Sequence, residues 1–143
     1  MAWFWYALCA SLLWGIAYVA HQYLLRYLTV FELVFLEALF VIVVYTPFFI
    51  AYGKFSSLLI KLADIKLSLI LFLSCCVYIA AAIFIFKSIN ASNASLAAIV
   101  EASYPLFTML FAFILLGEVQ FTLNTLIGAV FILIGLIIVN QGG

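Results

Sequence analysis

The sequence predicts an all-α membrane protein with five transmembrane helices, and three observations carry that prediction. Five apolar runs account for nearly the whole of the 143-residue chain. Hydrophobic residues make up 71% of it and charged residues only 7%, far from the averages of soluble domains. The runs are also apolar all round, whereas a helix on a soluble core needs a polar face returning about every 3.6 residues. Each run reaches the ~20 residues needed to cross a hydrocarbon layer about 30 Å thick. Backbone polar groups cannot stay unsatisfied in lipid, so runs of this length must be helical.

The first span is read as Trp3–Leu25. Its start lacks the basic stretch of a secretory signal, and Trp3, Trp5 and Tyr6 resemble an interfacial aromatic belt. A short turn, Arg26–Val30, leads to the second span, Phe31–Tyr52. The longest connection, Gly53–Ile65, carries Lys54, Lys61 and Asp64 among Leu58, Leu59, Leu62 and Ile65. Those apolar residues fall on one helical face, so this loop is expected to form a short amphipathic helix in the interface. The third span is Lys66–Phe86. Asn90-Ala91-Ser92 and Asn93-Ala94-Ser95 match the glycosylation acceptor pattern but read as turn and cap chemistry, with Asn93 as an N-cap.

The fourth span, Ala94–Leu116, contains Pro105, which cannot donate to the carbonyl of Glu101 and predicts a kink there. Gly117–Phe121 leads to the fifth span, Thr122–Val139. In that last helix Gly128 and Gly135 are seven residues apart on one face beside Ala129. Small residues so placed allow close helix approach, as an interhelical contact or a dimer seam. The five spans form a single domain over residues 1–143. Their odd number puts the termini on opposite faces, which is expected of half of a larger assembly.

Several function classes drop out. Formal net charge is zero, which argues against nucleic acid as a partner. Cys9, Cys75 and Cys76 fall within spans and read as small apolar packing residues. With one histidine in the chain, no metal-ligand cluster is legible, and no cofactor motif is present. No nucleophile–base pair or phosphate-cradling loop marks an enzyme.

The informative residues are the charges inside spans, each costing about 2.5–3.5 kcal/mol on insertion scales. Glu37 lies six residues into the second span and Glu101 seven into the fourth. Both spans start on the same side, so both carboxylates are expected ~9–11 Å below that surface at 1.5 Å per residue. His21, Tyr18 and Tyr104 fall at comparable depth, Trp14 lies nearer the middle, and Lys87 closes the third span at that face. One reading is an aromatic-walled polar cavity in which Glu37 and Glu101 bind a proton or a cation. The other is that each carboxylate only joins helices together. Glu32 and Glu118 lie near span ends and read as structural, Glu118 as an N-terminal charge for the fifth helix.

Lysine and arginine in the short loops set orientation. Lys54, Lys61 and Lys66 lie on the N-terminal side and Arg26 and Lys87 on the other, a narrow excess. It allows insertion both ways, giving an antiparallel homodimer, or a single orientation with a separate partner half.

Together these residues resemble a family. Ala94, Ser95, Ala97 and Ala98 lead into Tyr104-Pro105-Leu106-Phe107-Thr108, then Leu116-Gly117-Glu118, Gly128 and Gly135, with Trp14-Gly15 in the first span. In order and spacing they are similar to a five-helix half of the drug/metabolite transporter superfamily, its EamA-like domain. The resemblance implies transport of small metabolites or drugs across a cytoplasmic membrane. It also implies half of an inverted-repeat, ten-helix architecture, and therefore a dimer. Many relatives carry arginine near the place of Glu37, so the acid here points to a cationic or proton-coupled substrate. A non-transporting subunit that stabilises a partner membrane protein is the competing reading.

Overall fold

The computed structural model describes the backbone of residues 2–53, 55–119 and 122–142, and their side chains apart from 2, 3, 55–57 and 142. Every regular element among the described residues is helical. In order they are α1 (Ala2–Leu24), α2 (Val30–Ala51), α3 (Phe55–Leu62), α4 (Ile65–Ala91), α5 (Ala94–Glu101), α6 (Tyr104–Phe111), a π-helical turn (Ala112–Leu116) and α7 (Leu123–Gly142). Among the described residues, five stretches are long and apolar enough to cross a membrane: Phe4–Leu24, Val30–Ala51, Ile65–Ala91, Ala94–Leu116 and Leu123–Gln141. Large side chains such as Phe40, Phe72 and Phe131 stand exposed along them. Apolar surface on this scale is stable only against lipid or another apolar protein face.

Local chemistry explains where the helices begin and end. Thr29 and Glu32 form a reciprocal capping box at the start of α2. The Thr29 backbone N–H donates to Glu32 Oε2 at 2.7 Å, and the Glu32 N–H donates to Thr29 Oγ1 at 3.3 Å. Asn93 caps α5 by accepting the Leu96 N–H at 2.9 Å. Thr122 and Thr125 share the same kind of exchange before α7: the Thr122 N–H donates to Thr125 Oγ1 at 2.6 Å, and the Thr125 N–H donates to Thr122 Oγ1 at 3.3 Å. Those threonines hold the cap, and Glu118 stands outside the first turn of α7. Gly117 ends the π-helical turn at φ +68°, a left-handed conformation that glycine adopts without steric cost.

Lys87 does not close the third span, because α4 continues to Ala91 and buries Phe86 and Ile89 in its last turns. At Pro105 the fourth span is broken as well as bent, with Ala102 and Ser103 between α5 and α6. A methyl group built on Gly128 or Gly135 meets nothing within 4 Å, so of the two uses expected of this glycine face, a close contact with a helix of the same chain is not made. The amphipathic helix expected in the long loop is present as α3. Trp3, in the expected aromatic belt, and Lys54 and Phe121, in loops, lie outside the described side chains. All three cysteines are free and exposed, so they do not pack inside the chain.

Backbone packing divides the chain into two compact units. One joins Met1–Ala20 to Ala91–Gly143, and the other is His21–Asn90. In the first unit α5 packs beside α7, and Tyr18, Ala94, Ala97 and Ala112 are buried. In the second, Leu33 and Ile89 are the most enclosed side chains, with Leu25 and Phe86 close behind.

Replacing Thr29 by alanine removes the hydroxyl side of the capping box and is expected to cost about 1 kcal/mol. Equilibrium unfolding in mixed micelles would read that loss, with Thr29→Ser retaining wild-type stability.

Candidate functional site

Among the described residues, two polar clusters lie within the spans, one in each unit. In the first, Glu101 is the last residue of α5 and Tyr104 the first of α6, so the carboxylate stands at a break in the fourth span. Pro105 explains the break, because its ring nitrogen has no hydrogen to donate to the Glu101 carbonyl. The chain bridges it with tighter bonds, the Ser103 N–H to the Val100 carbonyl at 3.2 Å and the Leu106 N–H to the Ser103 carbonyl at 3.0 Å. The Tyr18 hydroxyl, on α1, donates to Glu101 Oε2. Trp14, one turn earlier on α1, meets the Tyr18 ring edge-on with centroids 5.8 Å apart.

The burial pattern separates scaffold from open surface. Tyr18 is 8% exposed, while Trp14 and Tyr104 are 53% and 64% exposed. Glu101 is exposed as well. The buried tyrosine therefore fixes one carboxylate oxygen from behind, and the acid keeps an open side among exposed aromatic rings.

The carboxylate lies between the C-terminus of α5 and the N-terminus of α6, so the two helix dipoles oppose one another there. An ionised acid within a span is costly unless it is bonded or neutralised, and a proton or cation on its open side can supply the counter-charge. C-terminal ends of half-helices, with freed carbonyls, are also where transporters coordinate cations. Exposed tryptophan and tyrosine faces add attraction for an organic cation.

The second cluster belongs to the other unit. His21, in the last turn of α1, places Nε2 2.6 Å from Glu37 Oε1 of α2. The Phe86 ring of α4 meets the imidazole edge-on at 4.7 Å. His21 is buried, and the Glu37 side chain keeps 41% of its surface. This carboxylate is thus already engaged, unlike the open side of Glu101. A cleft of about 920 Å³, lined by residues such as Val41, Tyr45, Phe49 and Leu58, is almost wholly apolar. Neither His21 nor Glu37 lines it, and it offers a charged ligand nothing.

All six candidate residues stand out in the sequence, but their pairing does not. Tyr18 with Glu101 and His21 with Glu37 are contacts between residues far apart in sequence, and neither partner announces the other. Phe86 was missed because an aromatic near a span end looks like any apolar packing residue. The Thr29-x-x-Glu32 capping box was missed too, although its spacing is written plainly in the sequence.

Replacing Tyr18 by phenylalanine removes the hydroxyl that holds Glu101. A double-mutant cycle with Glu101→Gln, read by unfolding in micelles, is expected to give a coupling of about 0.6–1.7 kcal/mol, the range for interhelical hydrogen bonds in membranes. Additive effects would mean that the contact carries no energy.

The model of the EamA-like transporter family matches residues 1–141. No curated protein and no solved structure matches the chain. With nearly the whole chain matched and five membrane-capable helices in place, this multi-pass integral membrane protein belongs to the EamA-like transporter family, within the drug/metabolite transporter superfamily.

Proposed function

We propose that the chain carries a small organic cation across the cytoplasmic membrane by alternating access, as one five-helix domain over residues 1–143 paired with a second copy in the opposite orientation. The observation that supports this reading is the Glu101 carboxylate, exposed at a broken helix and held from behind by Tyr18. A charge so placed within a span needs a counterpart, and the open side of the acid is where a cation can supply it. Trp14 and Tyr104 offer aromatic faces to the same ligand. Glu37, engaged by His21, is the poorer ligand for a substrate.

The same exposure supports dimerisation. Glu101, Trp14 and Tyr104 are open in the single chain, and so are Gly128 and Gly135 of α7. A second copy would wall the site, with the Gly128 and Gly135 face as the seam. Inverted halves rocking about a midplane site then alternate its access between the two sides.

The test is flux of ethidium, a planar aromatic cation, into proteoliposomes containing purified protein. Glu101→Gln is expected to lower it about tenfold or more, equivalent to forfeiting about 1.4 kcal/mol of cation binding. Size-exclusion elution should remain that of the wild type. Undiminished flux in Glu101→Gln would contradict the reading and favour a structural role for this acid in a non-transporting subunit.

A further inference from the structure

We propose that His21 and Glu37 act as one proton-binding pair that links transport to a pH gradient, separate from the cation-holding acid at Glu101. The proposal rests on the transporter reading above and adds to it the residues that carry the proton.

The geometry points to a shared proton. His21 Nε2 and Glu37 Oε1 are 2.6 Å apart, a separation that requires a hydrogen between them. Imidazolium with carboxylate, or neutral imidazole with carboxylic acid, gives the pair no net charge. Removing one proton leaves a net negative charge and adding one leaves a net positive charge. Because the pair lies within membrane-spanning segments and Phe86 packs against the imidazole, each change alters how well it is tolerated where it stands.

From α2 comes Glu37 itself, and from α4 comes the Phe86 ring edge, which cannot ionise. Lys87, next to Phe86, and Arg26, beyond the end of α1, are both exposed. On α1 the ionisable residue one turn earlier, Tyr18, donates to Glu101. His21 itself is 8% exposed, so protons reach the pair through Glu37, whose side chain retains 41% of its surface.

The pair also ties three helices together, the last turn of α1 with α2 and α4. A proton taken from one aqueous side and returned to the other changes the strength of that tie during each cycle. Glu101 has no such role, because its partner is a tyrosine hydroxyl and its outer side is open to a ligand. The two acids therefore divide the work, one taking the proton and one the cation.

His21 is the single histidine of the chain, so nitrogen-15 histidine labelling yields one imidazole to follow in lipid nanodiscs. The imidazole nitrogens and the Glu37 carboxyl carbon are expected to shift with pH along one common curve, as coupled sites do. Glu37→Gln should change the imidazole curve, and Glu101→Gln should leave it in place. An imidazole curve untouched by Glu37→Gln overturns the proposal.

In proteoliposomes, the ratio of ethidium flux with and without an imposed pH gradient is expected to fall to unity in His21→Gln and in Glu37→Gln. A ratio that stays at the wild-type value in either variant overturns the proposal as well. Absence of ethidium flux in the wild type would count against the transporter reading, whereas the nanodisc titration decides the pairing without any flux.

Discussion

Hydrocarbon offers a polar group nothing to bond, and the arrangement of this chain follows from that constraint. With so few charged residues, each one inside a span has to be neutralised, bonded or covered. The Tyr18–Glu101 contact is the clearest case. A buried phenol satisfies one carboxylate oxygen and leaves the other side of the acid open, at a point where proline has already broken the helix. A purely structural bond between helices would gain most by being enclosed. This one is half open, and on the proposed function the open side is where the cation binds.

The second acid is handled in another way. Glu37 meets a buried imidazole whose ring rests on Phe86, so its charge is answered within the chain. Two carboxylates that look alike in sequence thus acquire different chemistry from their partners. A hydroxyl can only donate to the carboxylate and leaves its charge in place, whereas an imidazole can exchange a proton with it. Both partners come from α1, where Tyr18 and His21 are three residues apart. One short stretch of helix therefore sets the character of both acids.

Much of this was legible from residues alone. The spans could be read because twenty apolar residues in a row have only one stable solution in lipid. Pro105 and Asn93 could be read because a missing donor and a capping side chain act within one turn of themselves. Glu37, Glu101 and His21 stood out because polar residues are rare inside spans. What could not be read was pairing. An interhelical contact depends on helix rotation, and spans that are apolar on every side give no period from which to infer it. The same lack of period hid Phe86. It also left the extent of α4 open, because nothing in Lys87-Ser88-Ile89-Asn90 forces a helix to stop.

The central claim is that the break between α5 and α6 is a water-reached cation site and not a dry joint. Thiol labelling tests it most directly. In a variant with Cys9, Cys75 and Cys76 replaced by serine, Ala102→Cys puts one thiol beside Glu101. A membrane-impermeant maleimide is predicted to label it in intact membranes, with ethidium slowing the reaction. A thiol that reacts only after detergent is added, or at a rate ethidium does not change, would contradict the account.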